Sequence, residues 1–215
     1  MARANSRPGK IVCVGRNYAA HAAELGGKVP SEPLIFLKPP SAVIAAGEPV
    51  RMPPDVGRVD YEGEIGLVIG RRCRRVSEAA AWNHLSGIVA VNDVTARTLQ
   101  RSDSQWTRAK GLDTFCPVGN VVEASSVDPA GLSLTTRVNG EVRQHGTTGE
   151  MVFSISRLVS FISHVMTLEA GDLIATGTPE GVGPVAPGDV VEVALSCGSA
   201  VRNPVEGGEA LGQGG

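Results

Sequence analysis

The sequence predicts an α+β fold that is mostly β, and three observations carry that prediction. Glycine (27) and proline (14) are numerous among the 215 residues, which implies frequent turns and short extended runs. Aromatic residues make up only 4%, so the core must be filled mainly by Val, Ile, Leu and Ala. Compact apolar runs bounded by turn residues outnumber stretches of helical periodicity and do not alternate with them. The length suffices for one well-buried core and not comfortably for two.

Each element has a local reason. Residues 1–9 are expected as a disordered leader and 206–215, rich in glycine, as a flexible tail, with a single domain over 10–205. Lys10 to Gly15 is a β-branched strand stopped by glycine, and Tyr18 to Leu25 is a short helix ended by Gly26-Gly27. Leu34 to Lys38 extends until Pro39-Pro40 terminates it. Glu62 to Gly70 alternates before becoming fully apolar, and Gly87 to Asp93 is a buried strand emerging into polar residues. Ser77 to His84 is a second helix. Leu132 to Val138 and Glu141 to Gln144 flank Asn139-Gly140, whose positive φ preference suits a type I′ hairpin turn. The clearest helix runs from Ser154, a plausible N-cap, to Met166, with Ile155, Leu158, Val159 and Ile162 at helical spacing. Asp172 to Gly177 and Asp189 to Leu195 are strands that follow glycine turns.

Composition excludes several classes. A net charge of −2 and a pI near 6.1 offer no electrostatic footprint for nucleic acid or a membrane surface. The basic run Arg71, Arg72, Arg74, Arg75 is interrupted by Cys73, lacks interleaved aromatics and fits a solvated turn. Cys13, Cys73, Cys116 and Cys197 form no CxxC pair, and no apolar stretch approaches a signal peptide or a membrane span. A reduced, cytoplasmic protein is the expectation.

Three constellations of residues carry chemistry. Glu62 and Glu64, two apart on a strand, project to one face, where roughly 7 Å of separation makes like charges repel. A divalent cation with a taste for hard oxygen ligands resolves that conflict; a strand face in water is the alternative. Asp93 stands at the tip of an apolar strand, able to supply a third ligand or to cap a helix starting near Ala96. His21 and Glu24 share a helical face, as a base and its orienter do and as a satisfied surface histidine also does. Lys38 and Lys110 stand out as basic residues of a kind normally solvated. The Gly-rich turn Ala175 to Gly183 offers backbone N–H groups to an anion, or is a plain loop.

Taken in order, Val14-Gly-Arg-Asn-Tyr18, His21-x-x-Glu24, Phe36-Leu-Lys-Pro39, Glu62-x-Glu64, Asn92-Asp-Val-Thr-Ala-Arg97, Lys110-Gly-x-Asp-Thr-Phe115, Val138-Asn-Gly140 and Thr176-Gly-Thr-Pro-x-Gly-Val-Gly183 resemble the fumarylacetoacetate hydrolase family over roughly residues 10–205. The resemblance implies a mixed β-sheet roll of the family's C-terminal type with a few short helices, usually homodimeric. It implies Mg²⁺ or Mn²⁺ held by Glu62, Glu64 and Asp93, with Lys110 beside the cation. His21 and Glu24 correspond to a water-activating dyad on a lid helix, and Arg16, Arg97, Gln100 and Thr178 to substrate contacts. The additional N-terminal domain that fumarylacetoacetases proper carry is not expected, and Leu99 to Thr107 does not settle the substrate.

The implied chemistry is cleavage beside a small 2-oxo acid, by acylpyruvate hydrolysis or oxaloacetate decarboxylation. The alternative is a hydroxymuconate-type isomerase or decarboxylase, and a third class is a non-enzymatic binding protein with surface carboxylates. No nucleic acid or membrane partner is expected.

Overall fold

The computed structural model describes residues 7–24, 26 and 29–212; the expected leader is therefore described only from Arg7 onward. Beside a three-stranded sheet ordered Gly183–Pro184, Val59–Tyr61, Thr95–Ala96 and the parallel pair Val43–Ile44 with Cys116–Pro117, two large mixed sheets build most of the fold. One has the strand order Val122–Glu123, Leu85–Asn92, Gly63–Ile69, Leu173–Ala175, Ile11–Gly15, Leu34–Lys38, and only Leu173–Ala175 and Ile11–Gly15 pair in parallel. The other orders Glu141–Thr147, Ser133–Val138, Val190–Leu195, Ala200–Gly207 and Val50–Met52, parallel only at its last pair.

Side chains alternate along a strand, so each face of the first sheet has its own burial partner. On one face Val12, Val14, Ile65, Leu67, Ile88 and Ala90 meet Leu134, Val193 and Val201 of the second sheet, together with Leu158, Val159 and Ile162 of the helix Ile155–Val165. On the opposite face Cys13, Val89, Val91 and Ala175 are covered by Ala42 and Cys116. The carboxylates discussed below lie on this second face, at its edge.

Most local expectations hold. The helix Ile155–Val165 starts beneath Ser154, whose hydroxyl accepts from Arg157 N. Helices form at Ala19–Glu24, whose expected end at Leu25 and Gly27 lies outside the described residues, and at Glu78–Ala81, which tightens into the 3₁₀ turn Trp82–His84. Asn139 and Gly140 take φ of 52° and 83°, as a type I′ turn needs, although the returning strand continues past Gln144 to Thr147 with a bulge between Thr136 and Arg137.

Residues 206–212 of the expected tail differ from expectation, and 213–215 lie outside the described residues. Ala200–Gly207 is a full strand, so pairing extends past residue 205, and Gly208 N and Leu211 N donate to Met52 O and Asp55 Oδ1 at 2.7 and 3.0 Å. Glycine-rich composition signals flexibility, but these bonds use only backbone N–H groups and so leave no trace in side-chain pattern.

Candidate metal centre

The antiparallel register that pairs Gly63 with Asn92 carries one step further, and Asp93 N donates to Glu62 O at 2.8 Å. Glu62 thus occupies the step before the strand rather than the strand itself, yet it still shares a face with Glu64. Asp93 opposes it across the ladder. Glu62, Glu64 and Asp93 are 5%, 1% and 1% exposed, and one oxygen from each lies within 4.8 Å of the others. The solvated-strand reading fails on burial. The helix-cap reading of Asp93 fails as well, because the helix Arg97–Ser102 has Ala96 at its N-cap and the Asp93 carboxylate is engaged elsewhere.

Cations surround these carboxylates. Lys38 donates to Asp93 Oδ1 at 2.6 Å, and Lys110 bridges Asp93 Oδ2 and Glu62 Oε2 at 2.5 and 2.7 Å. Arg97 Nη1 stands 2.7 Å from Glu62 Oε1. Both lysines, of a kind normally solvated, are buried: Lys38 is 1% exposed and Lys110 2%. Burial alone would lower the Lys110 pKa, but the Asp93 and Glu62 carboxylates outweigh it and hold the ammonium above its ordinary value. Burial pushes Glu62 up, yet the Lys110 and Arg97 charges prevail and hold it at about 2. Glu64 goes the other way. Burial, then the Asp93 and Glu62 charges, drive it well above the carboxylate range, and the Gly177 N–H at 2.8 Å offsets little of this.

The residues present fit a divalent cation. Three hard carboxylates converge, and each oxygen already accepting from Lys or Arg keeps a second lone pair. The Glu64 carboxyl, whose proton burial and the neighbouring carboxylates make harder to lose, is the group whose charge a cation would favour most. Arg97 Nη2 is buried with no partner among the described residues, an orphan donor beside the carboxylates that calls for an oxygen ligand or water.

A cleft of about 330 Å³ opens over the carboxylates. Every site residue expected from the sequence lines it: His21, Glu24, Arg16, Arg97, Gln100, Thr178, Lys110 and the three carboxylates. His21 Nδ1 lies 3.2 Å from Glu24 Oε2, and Glu24 Oε1 accepts from Gly181 N at 3.2 Å, which fastens the helix Ala19–Glu24 to the Gly-rich turn. Gln100 Oε1 accepts from Arg97 Nη1 at 2.8 Å. The Thr178 hydroxyl donates inward to Gly63 O at 2.8 Å, so it has no proton left for a ligand.

Sequence reasoning missed several neighbours. Phe36 and Trp106 wall the cleft, with ring centroids 5.3 Å apart in edge contact, and Lys110 Nζ stands 5.2 Å from the Phe36 centroid. Arg101 also lines it. Asp60, 1% exposed, accepts from Arg97 Nε at 2.8 Å and from Arg58 at 2.6 and 3.0 Å, which fixes the guanidinium that reaches Glu62. Asp60 lies two residues before Glu62, and its position beside Tyr61-Glu62 was the available signal.

Known proteins share this architecture. "Oxaloacetate tautomerase FAHD1, mitochondrial" of Arabidopsis thaliana is 47% identical over 202 residues, covering 92% of this chain and 91% of that protein. A crystal structure of 5-carboxymethyl-2-hydroxymuconate delta-isomerase from Mycobacterium smegmatis is 48% identical with a TM-score of 0.86, over 93% of this chain and 79% of that one. Fumarylpyruvate hydrolase from Pseudomonas aeruginosa, solved with Mn²⁺ and pyruvate, is 32% identical with a TM-score of 0.87, over 93% and 90% of the two chains. Residues 10–206 match the fumarylacetoacetate (FAA) hydrolase C-terminal family, and the chain belongs to that family.

Proposed function

We propose that this chain is a Mg²⁺- or Mn²⁺-dependent enzyme that cleaves a C–C bond next to a small 2-oxo acid, releasing pyruvate by acylpyruvate hydrolysis or oxaloacetate decarboxylation. The observation that carries the reading is the convergence of three buried carboxylates beneath a histidine–carboxylate pair in one cleft. Its four free cysteines suit the reducing cytoplasm in which we place it.

Glu62, Glu64 and Asp93 would hold the cation, which when bound supplies Lewis-acid stabilisation of charge developing on the oxo oxygen. The protein's own groups do the rest. Glu24 accepting from Nδ1–H leaves Nε2 of His21 as the basic nitrogen, and His21 takes a proton from water for attack on the distal carbonyl. Lys110 spends two of its three N–H donors on Glu62 and Asp93 and keeps one for a developing oxyanion. The free Nη2 of Arg97 suits a substrate carboxylate. Phe36 and Trp106 keep water from the inner wall.

A second reading, keto–enol or double-bond isomerisation, is favoured by the names of the two relatives at 47% and 48% identity. It needs the same groups, with His21 shuttling a proton on carbon instead of activating water. A panel of acylpyruvates, oxaloacetate and hydroxymuconates, assayed on chelator-stripped protein with and without Mg²⁺, separates the two. Pyruvate release from acylpyruvates, or carbon dioxide from oxaloacetate, supports cleavage. Loss of the enol absorbance with carbon count unchanged supports isomerisation. No turnover of any member with metal restored would reject both and leave a binding protein.

A further inference from the structure

The backbone between the two glutamates lacks a strand partner on one side. Gly63–Ile69 pairs with Leu85–Asn92 along its length, but on the other side Leu173–Ala175 reaches only Gly66, Leu67 and Val68. Thr176 N and Oγ1 satisfy Ile65 O at 3.1 and 2.8 Å. Beyond that point side chains replace the ladder. Gly63 N donates to Gln144 Oε1 at 3.0 Å, and Gly63 O accepts from Thr178 Oγ1 at 2.8 Å. Gln144 Nε2 closes the ring by donating to Thr178 Oγ1 at 2.7 Å and to Pro179 O at 2.9 Å.

Gln144 comes from the other sheet, on the strand Glu141–Thr147, and is 1% exposed. Its amide uses one acceptor and both donors' worth of contacts without touching the cleft, where Thr178 but not Gln144 is found. Only glycine fits at position 63 this close to the second sheet, since a Cβ there would collide with Thr136 Oγ1. On this side, the peptide units that set the spacing and direction of the Glu62 and Glu64 carboxylates are therefore held by Gln144 and by the Thr178 hydroxyl that Gln144 supports.

We infer that Gln144 is a positioning residue of the metal centre: it holds the Glu62-Gly63-Glu64 backbone and the Thr178 turn in the geometry that lets the two glutamates share one cation. This rests on the proposed cation site, and its readout is cation affinity rather than turnover. Groups that orient metal ligands from behind commonly set affinity by about 10–100-fold.

The test is calorimetric titration of Mn²⁺ into chelator-stripped protein at a temperature where all variants are folded. Gln144→Ala should weaken Mn²⁺ binding by about tenfold or more. Gln144→Glu, which keeps the acceptor for Gly63 N and loses the donors, should fall between it and wild type, and serves alone if the alanine variant does not fold. Asn203→Ala is the control: Asn203 is 2% exposed and bonds Ala45 O and Glu48 O away from the cleft, so its loss should lower Tm and leave Mn²⁺ affinity unchanged. If the Gln144 variants lower Tm like Asn203→Ala yet bind Mn²⁺ as wild type does, Gln144 is a structural residue only and the inference is overturned. Failure of wild type to bind Mn²⁺ would instead overturn the cation site itself.

Discussion

At the residue scale the centre is a balance of buried charges, and the balance makes predictions. Glu62 has a lowered folded pKa, so its stabilisation is present above the ordinary 4.5 and is lost as pH falls toward about 2. Glu64 has a raised one, so the metal-free protein loses stability as pH rises through that value. A bound cation replaces the Glu64 proton. The Tm gain on adding Mn²⁺ should therefore grow as pH rises, with proton release in weakly buffered titration; a gain independent of pH would contradict this assignment. His21→Ala should cost about 10²-fold or more in acylpyruvate hydrolysis and less in oxaloacetate decarboxylation, which needs no activated water. The ratio of the two rates within one variant is insensitive to active fraction, and Glu24→Gln should give a weaker version. Hydrolysis near the wild-type rate with metal saturated would make the helix Ala19–Glu24 merely structural. Spacing made Glu62, Glu64 and the His21–Glu24 pair legible in the sequence. Gln144 was not, and Lys38 stood out without its pairing, because the partners are distant: 55 residues separate Lys38 from Asp93, and 81 separate Gln144 from Gly63.

At the element scale, period and punctuation did most of the work. The helix Ile155–Val165 and the Asn139-Gly140 hairpin follow from local signals, whereas Ala200–Gly207, interrupted by Pro204 and bordered by glycines, gave none strong enough to outweigh its composition. Ser154→Ala should cost about 1 kcal/mol through the lost cap. Leu158→Ala, at the centre of the main core, should cost about 2–5 kcal/mol, both read by urea unfolding. The link between the helix Ala19–Glu24 and the Gly-rich turn is a sharper case. Gly181 adopts φ of +91°, its carbonyl accepts from Tyr61 OH at 2.8 Å, and a Cβ there would collide with Arg143 O. Gly181→Ala should displace the N–H that holds Glu24, lowering kcat for hydrolysis while Mn²⁺ affinity stays within a few-fold of wild type. Equal losses in both would mean the turn supports the carboxylates rather than the helix.

At the scale of the whole molecule, two large sheets from distant parts of the chain enclose the main core and leave the carboxylates on the far face of the first, over a smaller cluster. That topology was legible only as a class, because which strands pair depends on contacts between segments more than a hundred residues apart, such as Ile11 with Leu173. No helix among the described residues is long and apolar enough to cross a membrane. We propose, from the family resemblance, that the chain forms a homodimer, which should sediment at twice the 22.3 kDa chain mass at micromolar concentration; a clean monomer would count against it. The central claim is the cation site, and anomalous diffraction from crystals soaked in Mn²⁺ tests it most directly. A single strong peak should lie about 2.0–2.3 Å from one oxygen each of Glu62, Glu64 and Asp93. Crystals that show no peak there, with Lys110 still bridging Glu62 and Asp93, would contradict it.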